Sequence, residues 1–207
     1  MGWTSLFLNT DKKKVFIVGT GEVACRRANR FLENDSEVIL LGKAIPKELS
    51  LKGARLEKDK DHDNIEKLVD WSDIVVIASG DSDINEYASS ISGEKLLNRA
   101  DYPEKGNLIV PTSFYIDDIQ ISIFTNGKSP LMARELRKKI QKAITDEDIL
   151  QIKLQDYTRK ILKEKVSTQK MRKNYLYEIL ENKDINNLLK EKKLKEAKDY
   201  VNNLLDI

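Results

Sequence analysis

Two glycines and an alanine near the N-terminus have the types and spacing of a phosphate-binding turn. Gly19, Gly21 and Ala24 form the pattern Gly-x-Gly-x-x-Ala directly after an apolar run at residues 14–18. The first glycine permits a tight turn, the second lets an anion approach the backbone, and the small third residue lets the next helix pack closely. The free N–H groups at that helix start attract negative charge. The segment therefore favours a bound dinucleotide pyrophosphate; a glycine-rich turn that binds nothing is the alternative.

The elements around this turn predict an α/β fold. Apolar strand runs alternate with helical patterns, and such alternation is typical of a parallel sheet. A turn around Pro103 and Gly106 follows, and we place the end of a Rossmann-like domain at residue 112. The predicted strands lie at residues 14–18, 37–41, 54–57 and 73–78, with short apolar runs at 96–98 and 108–110, and the predicted helices follow the turn and lie at 64–69 and 85–91.

A different pattern begins at residue 113. Residues 113–116 and 119–124 predict a β-hairpin, and Ser129 with Pro130 has the N-cap and first-turn types of a helix that runs toward residue 144. Because two strands alone are marginally stable, the hairpin needs a partner surface, and a second copy of the chain could supply it. We therefore expect a small α+β dimerisation segment over residues 113–145 and a homodimer. Residues 146–207 contain no Gly or Pro and predict an all-helical C-terminal domain.

Composition excludes several classes of protein. The 207 residues are 40% hydrophobic and 34% charged, which is typical of a globular protein rather than a disordered one. We find no apolar run of membrane-spanning length and no leader pattern, so we expect a cytoplasmic protein without a membrane partner. The single cysteine, Cys25, and the single histidine, His62, predict neither a disulfide nor a resident metal. The C-terminal region is mildly basic, but its Lys and Glu alternate as on a solvated helix, so we expect no nucleic-acid partner.

Five segments, in this order, resemble one family. They are Leu6–Leu8, Gly19–Arg27, Ala78–Asn85, Asn98–Pro103 and Thr125–Arg134. Together they are similar to the motifs of the precorrin-2 dehydrogenase or siroheme synthase N-terminal family, over roughly residues 5–145. The glycine motif alone is common to many dehydrogenases, whereas the last two motifs and their spacing are specific.

The resemblance implies oxidation of precorrin-2 to sirohydrochlorin, with NAD+ accepting a hydride while the macrocycle loses a proton. It also implies that Asp101 is the catalytic residue. A carboxylate suits this step, because it can stabilise the cationic ring that hydride loss leaves and can accept the departing proton. An ordinary turn aspartate before Pro103 is the alternative role.

The resemblance further implies two sets of binding residues. The expected cofactor-binding residues are Gly19, Thr20, Gly21, Glu22, Val23, Lys43, Ala44, Ala78, Ser79 and Asp81. The resemblance implies NAD as the cofactor. NADP stays open, because no acidic residue stands after the second strand to bind a ribose 2′-hydroxyl and Lys43 could accept a 2′-phosphate. The substrate carries several carboxylates, so cations should line its site. The expected substrate-binding residues are Asn98, Lys128, Ser129 and Arg134, with Arg99 and Arg137 as further candidate cations.

Two other functions stay open. Some members of such a family also insert iron into sirohydrochlorin, so a bifunctional enzyme is one alternative. A protein that binds NAD or a tetrapyrrole without turnover is the other.

Overall fold

The apolar runs in the first half of the chain pair into one parallel sheet. The computed structural model describes residues 2–205, and the chain separates into two units, Met1–Val110 and Pro111–Ile207. The strands of the first unit are β1 Lys14–Val18, β2 Glu37–Leu41, β3 Arg55–Glu57, β4 Ile74–Ile77 and β5 Leu96–Arg99. Their order is β3-β2-β1-β4-β5. All four residues of β4 are buried, because helices cover both faces of such a sheet.

Four helices cover the two faces of this sheet. They are α1 Glu22–Leu32, α2 Lys47–Leu51, α3 His62–Trp71 and α4 Ser82–Ser90, and a 3-10 turn follows β5 at Pro103–Lys105. Buried residues of α1 and α2 pack on one face, and buried residues of α3 and α4 pack on the other. In α1 these are Ala24, Ala28 and Phe31, whose spacing places them on one side of the helix. The predicted Rossmann-like fold is confirmed.

The strand order creates a crevice at the carboxyl edge of the sheet. β1 pairs with β2 on one side and with β4 on the other, so the connections after β1 and after β4 leave in opposite directions. In open α/β sheets, ligands bind at such a switch point. The glycine turn at Gly19 follows β1 and lies there.

The second unit begins with the predicted hairpin and helix. β6 Thr112–Ile116 pairs with β7 Ile119–Ile123 in antiparallel register. Helix α5 follows at Pro130–Ala143, and the Ser129 hydroxyl caps it by accepting a hydrogen bond from the Met132 N–H at 3.1 Å. Both predictions, the hairpin and the capped helix, are confirmed.

The remainder of the second unit is helical, as predicted. The helices are α6 Asp146–Lys165, α7 Gln169–Glu181, α8 Lys183–Lys190 and α9 Leu194–Leu204. They share a core that includes Leu154, Ile179 and Val201. The division into a dimerisation segment and a helical domain at residue 145 stays a prediction, as does the boundary at residue 112. Within residues 2–205, no helix combines the length and apolar character that a membrane span needs.

Candidate active site

A cleft of about 260 Å³ opens at the carboxyl edge of the sheet, at the switch point between β1 and β4. Seven of the ten expected cofactor-binding residues line it: Gly19, Thr20, Gly21, Lys43, Ala78, Ser79 and Asp81. Its other lining residues are Val18, Leu41, Gly42, Lys60, Gly80 and Ile84. Glu22 and Val23 are the first residues of α1 beside it, and Ala44 is an exposed loop residue two positions after Gly42. The glycine turn thus lies in a cleft at the edge of the sheet where open α/β folds bind their ligands.

Gly19 is required by the geometry of the turn. Its φ of +120° is a conformation that side chains disfavour, and a Cβ at this position would lie 2.5 Å from the carbonyl oxygen of Ala78. Its N–H donates to the carbonyl of Leu41 at 2.9 Å. The turn after β1 therefore touches the residues that end β2 and follow β4. A second glycine, Gly42, leaves room for the side chain of Thr20, since a Cβ there would lie 2.6 Å from it.

The start of α1 is open to an anion. Its N-cap is Gly21, and no side chain makes a capping hydrogen bond. The N–H groups in the first turn of a helix have no partner within the helix, so a bound anion can satisfy them. A Cβ on Gly21 would meet nothing within 4 Å, which leaves space beside this backbone. These features fit the pyrophosphate of a dinucleotide.

Two lysines give the cleft its positive charge. Lys60 pairs with Asp81 at 3.6 Å. Lys43 has no ion pair or hydrogen bond among residues 2–205 and is exposed. Lys60 was not predicted from the sequence as a cleft residue, although its position in the loop after β3 places it at the carboxyl edge where ligands bind.

No group of three or more His, Cys, Asp or Glu side chains in the described part of the chain could hold a metal ion.

Asp101 is connected to the cleft by a short chain of hydrogen bonds. Ser79, which lines the cleft, donates from its hydroxyl to Oδ1 of Asn85 at 2.6 Å. Asn85 donates from Nδ2 to Oδ2 of Asp101 at 3.1 Å and also to the carbonyl of Ser79 at 3.0 Å. Asn85 lies on α4 and is buried, so it is fixed in place. The arrangement holds the expected catalytic carboxylate next to the nucleotide cleft.

Arg99, the last residue of β5, donates two hydrogen bonds to the same carboxylate. Its Nε donates to Oδ1 of Asp101 at 2.9 Å, and its Nη2 donates to Oδ2 at 2.8 Å. The Arg99 side chain is only 2% exposed, whereas that of Asp101 is 25% exposed. Burial by itself raises the pKa of Asp101, but the hydrogen bonds and the charge of Arg99 outweigh burial, so the pKa lies below its usual value. Asp101 is therefore ionised at neutral pH.

A second carboxylate and a second cation complete this cluster. The Nη2 of Arg99 also donates to Glu86 at 2.8 Å, and Lys105 donates to both oxygens of Glu86 at 3.1 and 3.2 Å. The hydrogen bonds from Arg99, and then those from Lys105, lower the pKa of Glu86 to about 2. The hydrogen bonds that Arg99 donates to Asp101 in turn raise the pKa of Arg99. We name Arg99, Asp101, Glu86 and Lys105 the β5-end charge cluster.

Two residues near this cluster are placed differently from what the sequence suggested. Arg99 was a candidate cation for an anionic substrate, but it is buried against Asp101 and Glu86. Asn98 was expected to bind substrate, and its side chain is 2% exposed and donates to the carbonyl of Leu108 at 2.9 Å. Its Oδ1 has no partner among the described residues. Side chains alternate along a strand, so Asn98 and Arg99 point to opposite faces of the sheet.

The remaining expected substrate residues lie in the second unit. Lys128 and Arg134 are exposed, and Arg134 lies on α5. Ser129 uses its hydroxyl to cap α5. Arg137, the other candidate cation, lies 5.2 Å from the ring of Phe114. Lys128 thus lies just before α5, and Arg134 and Arg137 lie on that helix.

Comparison with known proteins agrees with the resemblance seen in the sequence. A family described as "Putative NAD(P)-binding" matches residues 6–112, and one described as "Sirohaem biosynthesis protein central" matches residues 117–143. A "Putative precorrin-2 dehydrogenase" of Methanocaldococcus jannaschii is 30% identical over 90% of this chain and 94% of its own. A precorrin-2 dehydrogenase of Methanosarcina barkeri is 28% identical over 87% of this chain and 84% of its own.

A solved structure supports the fold over the whole chain. The structure of SirC, a precorrin-2 dehydrogenase, has a TM-score of 0.77 and covers 97% of this chain and 100% of its own, at 18% sequence identity. At 18% sequence identity this match supports the fold alone. Membership of the family rests on the sequence relatives. The chain belongs to the precorrin-2 dehydrogenase family.

Proposed function

We propose that this protein oxidises precorrin-2 to sirohydrochlorin, with NAD as its cofactor. The observation that carries this proposal is the position of Asp101. Its ionised carboxylate lies at the end of β5 and is hydrogen-bonded through Asn85 to Ser79, a residue of the nucleotide cleft. The names of the relatives supply the substrate, and the geometry supplies a base beside the cofactor site.

The glycine turn and the start of α1 bind the cofactor. Gly19 and Gly21 leave the backbone accessible, and the N–H groups of Glu22 and Val23 at the uncapped helix start face the pyrophosphate. NAD bound there supplies the hydride acceptor for the oxidation. Lys43, Ala44, Ala78, Ser79 and Asp81 complete the proposed cofactor set.

Asp101 removes the proton. Loss of a hydride leaves positive charge on the macrocycle, and a nearby carboxylate stabilises that charge. The same carboxylate then accepts the proton that leaves the ring, which requires that it be ionised beforehand. Arg99 keeps it ionised. Asn85 and Arg99 also restrict its orientation, so the base is positioned before the substrate arrives.

The substrate carboxylates are bound by the cations at the start of α5. We propose Arg134, Lys128 and the Ser129 region for this role. Arginine and lysine at exposed positions suit several carboxylates, because charge-assisted hydrogen bonds to carboxylates are the stronger kind.

We also propose that the protein is a homodimer formed through the second unit. The hairpin and α5 expose large apolar side chains: Tyr115 is 55% exposed, Leu131 is 64% exposed and Met132 is 45% exposed. Exposed apolar patches of this kind are typical of association surfaces. A second copy would extend the two-stranded sheet or cover α5. We further propose that the protein is cytoplasmic and has no nucleic-acid or membrane partner.

The test is an anaerobic assay with purified protein, precorrin-2 and NAD+. Formation of NADH together with the absorption spectrum of sirohydrochlorin in the wild type, and its loss in Asp101→Asn, supports the proposal. NAD binding without NADH formation contradicts it and favours a binding protein. Addition of Fe2+ after the oxidation is complete tests the bifunctional alternative, because iron insertion changes the spectrum without further NADH.

A further inference from the structure

The buried side chain of Arg99 contacts the carboxylate of Asp101, the proposed base. Arg99 is 2% exposed, although it is a charged side chain at the end of a strand. It lies on the same face of the sheet as Leu97, the face that α4 covers. Burial of a charge is costly unless the charge is paired and hydrogen-bonded. A buried arginine at this position therefore needs an explanation in its contacts.

Most of the side-chain hydrogen bonds of Arg99 go to Asp101. Two of its three guanidinium nitrogens bind Asp101, one to each carboxylate oxygen, which is the two-pronged geometry that aligns both planes. Asn85 adds a third side-chain donor to this carboxylate, at Oδ2. Two elements, β5 and α4, thus determine the orientation of the Asp101 carboxylate.

The other members of the β5-end charge cluster support Arg99 rather than Asp101. Glu86 on α4 accepts from the Nη2 of Arg99, and Lys105 in the 3-10 turn binds Glu86. The charged groups around Asp101 are therefore Arg99 from its own strand, Glu86 from α4 and Lys105 from the turn. Together with Asp101 they comprise two cations and two anions, so the cluster is neutral as a whole while Asp101 directly faces a cation.

We propose that Arg99 is a positioning residue for the reaction: it fixes the orientation of Asp101 and keeps that carboxylate ionised, with Glu86 holding Arg99 in place. This inference rests on the proposed function for its kinetic meaning. The lowered pKa of Asp101 agrees with it, since the charge and hydrogen bonds of Arg99 are what overcome the effect of burial. Removal of Arg99 leaves the base both less well oriented and more readily protonated.

The experiment compares Arg99→Met, Arg99→Lys and Glu86→Gln, with Arg55→Met as the matched control. Arg55 is an arginine of the same unit whose side chain is 62% exposed and which pairs with Glu37 at 3.9 Å, at the other edge of the sheet. For each protein, kcat and kcat/KM are measured from acid to neutral pH, and the dissociation constant for NAD+ is measured as a check on the cofactor cleft.

In Arg99→Met we expect the acid limb of kcat/KM to move upward by about one pH unit or more, because the opposite charge is gone. We expect kcat at neutral pH to fall by about 10- to 100-fold through loss of orientation. Arg99→Lys keeps the charge and loses the two-pronged contact, so its acid limb stays near that of the wild type while its kcat falls. The affinity for NAD+ stays the same in each variant, and Arg55→Met behaves as the wild type.

Glu86→Gln provides a second test that does not depend on the folding of an Arg99 variant. Its side chain is 52% exposed, so the substitution is compatible with folding. Gln keeps an oxygen that accepts the hydrogen bond from Arg99, so Arg99 stays in place, and the loss of an anion near Asp101 does not favour protonation of the base. The acid limb therefore stays or moves downward, opposite to that of Arg99→Met. An upward shift in Glu86→Gln, or an Arg99→Met protein with wild-type kcat and acid limb, overturns the proposal.

A titration separates this inference from the proposed function. The carboxyl carbon of Asp101 is followed by NMR in protein labelled with 13C-aspartate, and its signal is assigned by comparison with Asp101→Asn. If the wild type does not oxidise precorrin-2, the proposed function fails, while the titration still measures the effect of Arg99. A higher midpoint for Asp101 in Arg99→Met supports the role of Arg99, and an unchanged midpoint overturns it.

Discussion

Replacement of Asp101 by alanine should destabilise the first unit as well as remove the proposed base. The side chain of Arg99 is only 2% exposed, and it donates two hydrogen bonds to Asp101, at 2.9 and 2.8 Å. Alanine at position 101 removes the acceptor of both. Removal of one partner of a fully buried ion pair typically costs about 3–5 kcal/mol. Glu86 still binds Arg99, and the site of Asp101 is partly open to water. We therefore expect a loss of about 2–3 kcal/mol in the free energy of unfolding.

Urea denaturation measures this loss. Both tryptophans of the chain, Trp3 and Trp71, belong to the first unit, so their fluorescence reports its unfolding. With a typical urea dependence of about 2 kcal/mol per molar, the midpoint of Asp101→Ala falls by about 1 M. The control is Glu37→Ala, whose ion pair with Arg55 is exposed and should change the stability by less than about 0.5 kcal/mol.

The double variant Asp101→Ala with Arg99→Leu separates stability from catalysis. It removes the unpaired buried charge and puts an apolar side chain in its place, so the unfolding midpoint should return most of the way to that of the wild type. Activity should not return, because the base is absent. An Asp101→Ala protein as stable as the wild type, or a double variant less stable than Asp101→Ala, would refute this account of the cluster.

Three further results are expected. Gly19→Ala should lower both the stability and the affinity for NAD+, because its Cβ would lie 2.5 Å from the Ala78 carbonyl, whereas Gly21→Ala should keep the stability and lose only the affinity; urea titration and calorimetric NAD+ binding measure the two effects. Lys43→Ala should weaken NADP+ binding by about tenfold and NAD+ binding by much less, because a lysine in the cleft attracts a charged 2′-phosphate more strongly than the neutral ribose hydroxyl of NAD+; equal losses for both nucleotides would contradict this. Leu131→Asp should convert a dimer to a monomer in sedimentation velocity, while Leu51→Asp, at an equally exposed site of the first unit, should not; an unaltered sedimentation coefficient in Leu131→Asp would place the interface elsewhere.

Much of the fold could be predicted because its signals are local. The run at residues 37–41 predicts β2 with the same limits that the structure has, since a buried parallel strand is apolar at nearly every position. Ser129 and Pro130 predict the start of α5 because capping depends on residues a few positions apart. The glycine turn is equally local, and the cleft lies where the alternation of strands and helices places it.

What only the tertiary structure decided is the partner of each charge. From the sequence, Arg99 and Asn98 were both candidates for binding substrate, and Glu86 had no assigned role. A strand residue's burial depends on which face a helix covers, and the salt bridge between Arg99 and Glu86 joins two different elements, β5 and α4. Arg99 meets Glu86 because α4 packs over the end of β5, and no periodicity in either segment encodes that contact. The sequence by itself determined the elements and the glycine turn; the packing of α4 on the sheet buried one face of β5 and gave Arg99 its contact with Glu86.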